Sequence, residues 1–444
     1  MAFLRSSFAV LIVLAAGAGC SLLAPSRDEL SGGKVAARDG ATVDDSGAGG
    51  GSGAGAGLGG AGVTTGTEGG GEGGNGGAIV EAESDVVDSG QDAPLTILGC
   101  DSLRAVGQWE QITPPEVSLA CPDSGYCGNF GTEAFVLDPQ NAGTIYLGTS
   151  AQGIWKSSNC GSTWSQLNTG SNSTTVSAGT QRIFEIDPVD PKVMYTKGNN
   201  NAAFKSTNGG VDWATLWPPA DAVLSKIVDF NVVGYLSLYP NEHQHFLLSF
   251  GANCTGSFPK VCFAETKDAG ATWNMIAGRA EWLGGDARVW FLDASTWLYG
   301  SGSDGLWRSP DKGVTWQQLA DKSLGAPIGR LFRAADGTFY LGAVTGILRS
   351  KDGAVWTLIS GTQFVSGGIV SDGASLFASS FGLCGEHGTN QQFYSSSMET
   401  DGKTWSALAA PGMTQGAWSV GYDLPHHVYY SSNCRQGFWR VVTR

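Results

Sequence analysis

An eight-residue word recurs between residues 157 and 405 and constrains the fold more than any other feature of the chain. It reads SSNCGSTW at 157–164, STNGGVDW at 206–213, TKDAGATW at 266–273 and SPDKGVTW at 309–316. Two altered copies follow, SKDGAVW at 350–356 and METDGKTW at 398–405. Repeats with their tryptophans about 40 to 60 residues apart indicate a fold built from one supersecondary unit used many times.

The segments between the copies favour short strands. Phrases such as VMYTKGNNNAAFKS and FYLGAVTGILRS come directly before a copy of the word. After residue 95, Val, Ile, Thr and aromatic residues alternate with turn residues, and no long stretch has a helical period. We therefore predict an all-β fold in which each repeat is one four-stranded blade of a β-propeller.

The repeated word resembles the Asp box, or BNR repeat, of sialidases, sortilin-type receptors, xyloglucanases and photosystem II assembly factors. The resemblance covers residues 98–444 and implies a propeller, although proteins with this fold share little chemistry. We expect Asp311, Asp268 and Asn159 to accept hydrogen bonds from nearby backbone N–H groups, with Gly at positive φ and Trp covering the joint between strands. These residues are expected to be structural rather than catalytic.

The number of blades follows from counting hairpins. Seven inner-hairpin phrases are present, and the last, from Val428, is not followed by a copy of the word or its Trp strand. The segment VGQWEQITPP at 106–115 resembles the missing strand. We predict a single seven-bladed β-propeller over residues 98–444 whose N-terminal strand closes the last blade and removes the exposed sheet edges.

The first twenty residues predict export. An early Arg5 is followed by an apolar run at 8–16 and by small residues ending at Cys20, which is the pattern of a secretory signal peptide. The ending GAGC resembles a bacterial lipoprotein processing box and implies that Cys20 is lipidated, although Gly17 stands where that box usually has an aliphatic residue. The expected location is the cell envelope, with a lipid anchor facing the periplasm or exterior; free secretion after ordinary cleavage is the alternative.

Residues 21–97 form a predicted linker. They are rich in Gly and carry twelve acidic but only three basic residues, which accounts for most of the formal net charge of −14. Such a segment has little to bury, so we expect a disordered, acidic tether. Its charge disfavours nucleic acid as a partner.

The cysteines predict disulfides. Eight of the nine remain when Cys20 is set aside, an even number typical of an exported protein. Short spacing suggests Cys121–Cys127 and Cys254–Cys262, corresponding positions in the last two blades suggest Cys384–Cys434, and elimination leaves Cys100–Cys160. The spacings do not fit a metal site, and we predict neither metal nor cofactor.

Long insertions predict the face that binds a ligand. The segments 121–130, 254–262 and 382–392 are expected on the face where loops enter the inner strands, opposite the repeated words. On this loop-rich face we predict two ligand contacts, an exposed Trp282 in GRAEWLGG and His387 in CGEHGTNQQ, which can titrate near neutral pH. Four other histidines are expected on the opposite face in surface or structural roles: His243, His245, His426 and His427.

An alignment of inner strands predicts an anion site. QRIFEIDP, ARVWFLDA and GRLFRAADG place Arg182, Arg288 and Arg330 at one equivalent position near the mouth of the channel. Other blades contribute Glu133 and Trp418 at or near this level. Three converging guanidinium groups could bind a carboxylate or sulfate. The alternative is that each Arg pairs with a local carbonyl or acid.

The enzymatic alternatives are weaker. A xyloglucanase-like site needs two opposed carboxylates. One of them lies in a xyloglucanase phrase like YARTDIGG, which YLGTSAQG resembles, and Ser150 stands where that phrase has Asp. A sialidase-like site could use the arginines with Tyr235 or Glu133, but that family has six blades and an Arg-Ile-Pro signature that is absent here. We assign no catalytic residue. We favour a non-catalytic, monomeric propeller that binds an extracellular glycan or protein and meets the membrane only through its anchor. A glycoside hydrolase is the main alternative, and an assembly scaffold is the third possibility.

Overall fold

The computed structural model describes residues 96–97, 99–100, 102–120, 129–198, 202–325, 327, 329–362, 366–381, 393–414 and 416–444. All of them belong to the compact unit Gly90–Arg444. The predicted signal peptide with Cys20, nearly all of the predicted linker, and Cys121, Cys127, Cys384 and His387 lie outside the described residues.

Seven four-stranded antiparallel sheets are arranged as the blades of a β-propeller, so the predicted fold class is confirmed. Two short strands come first, β1 (Thr96–Ile97) and β2 (Glu110–Gln111). Blade 1 contains β3 (Thr132–Leu137), β5 (Ile145–Thr149), β6 (Ile154–Ser157) and β7 (Ser165–Gln166), with β4 (Asn141–Ala142) in its first hairpin. Blade 2 contains β8 (Phe184–Ile186), β9 (Met194–Lys197), β10 (Ala203–Ser206) and β11 (Ala214–Trp217). Blade 3 contains β12 (Val233–Leu238), β13 (Phe246–Phe250), β14 (Cys262–Thr266) and β15 (Asn274–Ala277).

The remaining blades repeat this order. Blade 4 contains β16 (Arg288–Phe291), β17 (Trp297–Ser301), β18 (Gly305–Ser309) and β19 (Gln317–Ala320). Blade 5 contains β20 (Phe332–Arg333), β21 (Phe339–Ala343), β22 (Gly346–Ser350) and β23 (Thr357–Leu358). Blade 6 contains β24 (Ser366–Ser371), β25 (Ser375–Ser380), β26 (Phe393–Ser397) and β27 (Ser406–Leu408). Blade 7 contains β28 (Ser419–Asp423), β29 (Val428–Ser432), β30 (Phe438–Val442) and, as its outermost strand, β2.

Helices are few. The described residues contain one five-residue α-helix, α1 (Ser173–Ser177), and short 3-10 turns at Leu224–Lys226, Asp229–Asn231, Lys322–Leu324 and Met398–Thr400. Within the same part of the chain, no helix has the length and apolar character needed to cross a bilayer.

The N-terminal strand closes the ring. Glu110 and Gln111 of β2 pair antiparallel with Arg440 and Trp439 of β30, as the sequence predicted. The pairing is reinforced by an ion pair in which Nη2 of Arg440 lies 2.8 Å from Oε2 of Glu110. Because Nη1 of the same Arg also donates to the carbonyl of Cys160, at 2.7 Å, blade 7 is tied to blade 1 at this joint.

The linker boundary needs one correction. Thr96 and Ile97, assigned to the end of the linker from composition, form β1 and pair in parallel with Asn141 and Ala142 of β4. Ordered pairing therefore begins two residues earlier than composition indicated, because the backbone of this segment meets an available edge in the first hairpin of blade 1.

The repeated word forms a hydrogen-bonded turn. In the copy at 309–316, Oγ of Ser309 donates to Oδ1 of Asp311 (2.9 Å) and accepts from the backbone N–H of Gly313 (2.8 Å). Asp311 in turn accepts from the backbone N–H of Thr315 at 2.7 Å. Trp316 is 8% exposed and its Nε1 donates to the carbonyl of Gly313 at 3.0 Å. The turn therefore satisfies its own polar groups while placing a large apolar ring in the core.

Two disulfides lie within the described residues. Cys254–Cys262 closes a short loop in blade 3, and Cys100–Cys160 joins the segment before β2 to the repeated word of blade 1. Cys434 is also disulfide-bonded. His426 lies close to Cys100 and Cys160, but the two sulfur atoms are already joined to each other.

Candidate functional site

Charged and aromatic side chains gather where the inner strands begin. We call this set the channel-mouth cluster and define it as Glu133, Arg182, Glu185, Lys197, Tyr235, Arg288, Arg330 and Trp418. Glu133 is the second residue of β3, Arg182 and Trp418 come just before β8 and β28, and Arg288 opens β16. Since the first strand of each blade lines the channel of a propeller, the starts of these strands share one end of that channel.

Arg182 is held by one carboxylate and two aromatic rings. Its Nε lies 3.4 Å from Oε1 of Glu133 in the neighbouring blade. Its guanidinium carbon lies 4.7 Å from the ring centre of Phe130 and 5.0 Å from that of Trp418. Cation–π contacts of this kind hold the cation in place while a fifth of the side chain remains exposed to solvent.

Glu133 is buried more completely than its charge would favour. Its side chain is 0% exposed, and among the described residues its Oε2 atom has no hydrogen-bond partner. Burial raises the pKa of Glu133 from 4.5 to about 7, against the opposing effect of the Arg182 charge. Lys197 interacts electrostatically with both groups, and burial together with the Arg182 charge lowers its pKa to about 8. Both groups can therefore change charge near neutral pH.

A second ion pair spans the channel. Nη2 of Arg330 in blade 5 lies 2.9 Å from Oε1 of Glu185 and 2.7 Å from the carbonyl oxygen of Phe184, both in blade 2. These blades are not neighbours in the ring, so the contact crosses from one side to the other. Arg330 remains 46% exposed, whereas Glu185 is 16% exposed and burial raises its pKa.

Arg288 and Tyr235 lie beside this second pair. The guanidinium carbon of Arg288 is 5.2 Å from the ring centre of Tyr235, and its Nη1 donates to the carbonyl of Gly329 at 3.4 Å. Burial and the Glu185 charge raise the pKa of Tyr235. Burial lowers the pKa of Arg288, and the charge of Arg330 acts in the same direction. The two guanidinium groups are therefore close enough to repel each other.

The three aligned arginines thus divide into two groups. Arg182 pairs with Glu133, whereas Arg288 and Arg330 lie together with Glu185 and Tyr235. The sequence alignment did not single out Glu185 or Lys197. Glu185 could have been recognised from the sequence, because a carboxylate between the apolar residues of a predicted inner strand requires a cationic partner.

Trp282 is not the exposed contact that the sequence predicted. Its side chain is 1% exposed and stacks on Tyr299 with ring centres 3.9 Å apart. Trp316 and Phe263 pack against its edge. The Gly-rich turn folds the indole inward because burying its large apolar area stabilises the blade, so Trp282 belongs to the core.

A different aromatic residue is exposed on the loops that enter the inner strands. Phe230, before β12, is 80% exposed and has a φ of 53°, which is unusual for an aromatic residue. The backbone N–H of the adjacent Asp229 donates to the carbonyl of Asn253 at 2.9 Å, and Asn253 directly precedes Cys254 of the Cys254–Cys262 disulfide. The segment that exposes Phe230 is therefore hydrogen-bonded to a part of the chain that the disulfide stabilises.

Ser150 and the histidines have structural surroundings. Ser150 is 0% exposed, and its backbone N–H donates to the carbonyl of Gly131 at 2.8 Å. His245 is buried against Glu265 at 2.9 Å, His243 lies 2.6 Å from Asp187, and His426 lies 3.0 Å from Asp423. These pairs fit the structural roles expected for the histidines.

Comparison with known proteins finds relatives with the same fold at low identity. No family model matches the chain. A xyloglucanase of Hypocrea jecorina is 24% identical over 275 residues, which span 52% of this chain and 31% of that protein. Among solved structures, a GH74 xyloglucanase from Xanthomonas campestris superposes with a TM-score of 0.54 at 18% identity, covering 76% of this chain and 54% of that one. The GH74 enzyme of Niastella koreensis gives 0.52 at 19% identity, covering 70% and 52%.

These likenesses support a β-propeller, and at such identities the solved structures show the fold alone. The chain spans about a third of the curated relative and about half of each of the two GH74 structures.

Proposed function

We propose that the propeller binds an acidic extracellular glycan at the channel-mouth cluster. The observation that carries the proposal is the excess of cations there: Arg182, Lys197, Arg288 and Arg330 against the carboxyl groups of Glu133, Glu185 and Asp286, which acts on Arg288. In a chain of net charge −14, a local excess of positive charge at the mouth of the channel favours an anionic ligand. Paired N–H groups of arginine suit a carboxylate or a sulfate.

The neighbouring aromatic rings support a sugar as the carrier of that anion. Trp418, Phe130 and Tyr235 are partly buried beside the arginines, and Phe230 is exposed on the loops that enter the inner strands. Aromatic faces offer apolar area to the C–H faces of a sugar ring, while the guanidinium groups bind its charged substituent. An extracellular protein with an acidic segment is the other ligand to test.

A glycoside hydrolase is the second candidate. It is favoured by the similarity to xyloglucanases and by two carboxyl groups with raised pKa values, Glu133 and Glu185. Glycoside hydrolysis needs a proton donor and a second carboxylate on either side of the bond. The buried Ser150 counts against a xyloglucanase-type pair, since it stands where the resembling phrase has Asp.

The cellular context is proposed from the sequence. We propose an exported lipoprotein whose Cys20 carries the anchor, whose acidic linker places the propeller away from the membrane, and whose repeated words belong to the Asp-box family. Metabolic labelling with a clickable fatty acid, compared between the wild type and Cys20→Ser, tests the anchor directly.

A glycan array and a hydrolysis assay test the ligand. The purified protein should bind acidic glycans, and Arg182→Gln and Arg288→Gln should each weaken that binding. Lys351→Gln is the matched control, because this lysine is 67% exposed within the altered word at 350–356, away from the channel-mouth cluster. Binding only to uncharged glycans, or equal binding by all variants, would contradict the proposal. Release of reducing ends from xyloglucan that is lost in Glu133→Gln would instead favour the hydrolase.

A further inference from the structure

The buried oxygen of Glu133 points to a specific mode of ligand binding. Oε1 of Glu133 faces Arg182 at 3.4 Å, whereas Oε2 is buried and has no hydrogen-bond partner in the described part of the chain. An unsatisfied buried polar atom is costly and is normally explained by a ligand, a water molecule or a functional role. Here the atom belongs to a carboxyl group that pairs with Arg182, the cation to which an acidic ligand would bind.

An anionic ligand and an ionised Glu133 compete for the same charges. Arg182 and Lys197 both act electrostatically on Glu133, and Gln181 contributes a backbone hydrogen bond. If a ligand carboxylate approaches Arg182 while Glu133 is ionised, two negative charges share one buried site, which favours protonation of one of them. The ligand, on a partly exposed surface, stays ionised more readily than a carboxyl group that is 0% exposed.

Resting on the proposed function, we infer that the ligand carboxylate binds Arg182 and Lys197 together with a protonated Glu133, whose Oε2–H group donates a hydrogen bond to it. The charge balance is simple: an ionised Glu133, one proton and one ligand anion give a neutral carboxylic acid beside a bound anion. Binding therefore takes up about one proton whenever Glu133 starts ionised, and affinity falls as pH rises.

The expected size of the effect follows from the titration of this one group. With a pKa of about 7, the protonated fraction of Glu133 falls roughly 30-fold between pH 6 and pH 8.5. Lys197, with a pKa of about 8, also loses charge over this range and adds a few-fold decrease. Glu133→Gln keeps the shape and a donor N–H group but cannot titrate, so it should retain only the smaller decrease.

Isothermal titration calorimetry with trigalacturonate tests the inference on the whole protein. Titrations at pH 6 and 8.5 give the affinity, and titrations at pH 7.5 in buffers with different protonation enthalpies give the number of protons taken up. We expect the wild type to weaken at least 30-fold with rising pH and to take up most of one proton at pH 7.5. Glu133→Gln should bind at both pH values and take up far less.

The matched control is Glu399→Gln, because Glu399 is exposed in the altered word of blade 6. It should behave as the wild type. Binding of the wild type without proton uptake, or uptake that persists in Glu133→Gln, would overturn this inference and leave the proposed function standing. Absence of binding by both wild type and Glu133→Gln at pH 6 would overturn the acidic-glycan proposal itself, and this inference with it.

Discussion

The Glu133→Gln substitution exchanges a fully buried carboxyl group for an amide of nearly the same shape, and its effect on stability should depend on pH. In the folded protein the pKa of Glu133 is raised from 4.5 to about 7 by burial. A raised carboxyl pKa means that the folded state holds its proton over a range in which the unfolded chain has lost it. The wild type therefore loses stability as pH rises from 4.5 to about 7, while the Gln variant does not.

The magnitude follows from that shift. A rise in pKa from 4.5 to about 7 corresponds to roughly 3 kcal/mol of stability lost above pH 7. Urea unfolding of both proteins with disulfides intact, followed by Trp fluorescence at pH 5 and pH 8, measures the difference. We expect the variant to gain about 2 to 3 kcal/mol on the wild type between these pH values. A difference that does not change with pH would refute the argument that Glu133 is protonated by burial.

Three other substitutions test the turn, the cross-channel pair and the exposed aromatic residue. Ser309→Ala should lower the free energy of unfolding by about 2 kcal/mol, because the buried N–H of Gly313 loses its acceptor, whereas Ser309→Thr should be tolerated in the same urea titration. Arg330→Met should lower the free energy of unfolding by roughly 1 to 2 kcal/mol, a reduced value because the side chain is 46% exposed. If adding Glu185→Gln to this variant does not recover stability, loss of the ion pair is not the cause. Phe230→Ala should leave the melting temperature nearly unchanged and weaken binding of acidic oligosaccharides several-fold, with Phe230→Tyr as control; unchanged oligosaccharide binding would exclude this residue as a contact.

The architecture was accessible from sequence because local chemistry repeats along the chain. The copy at 309–316 contains all the residues that form the turn: a hydroxyl at Ser309, a carboxylate at Asp311, Gly313 at positive φ and Trp316 for the core. These interactions span only a few residues, so their spacing could be counted without knowing the fold. Ring closure could be predicted because the last blade lacked one strand in the sequence. Residues 106–115 resemble that strand, and β2 within them supplies it.

The site could be predicted only in part from the sequence, because its contacts join distant segments of the chain. The alignment found Arg182, Arg288 and Arg330 but not how they divide, since Phe184, whose carbonyl oxygen accepts from Arg330, lies 146 residues away in blade 2. Trp282 was misplaced for the same reason. Its turn reads as an exposed loop in sequence, and only the position of Tyr299 in the assembled blade shows that the ring is buried.

The sequence by itself therefore determined the repeat, the number of blades and the strand that closes the ring, because turn chemistry and strand spacing are local properties. The tertiary structure alone decided the partner of each arginine, the burial of Trp282 and the burial of Glu133. Electrostatic balance and solvent exposure depend on which blades face one another across the channel. A carboxyl group such as Glu133 acquires a pKa near 7 only when the ring has excluded water from it.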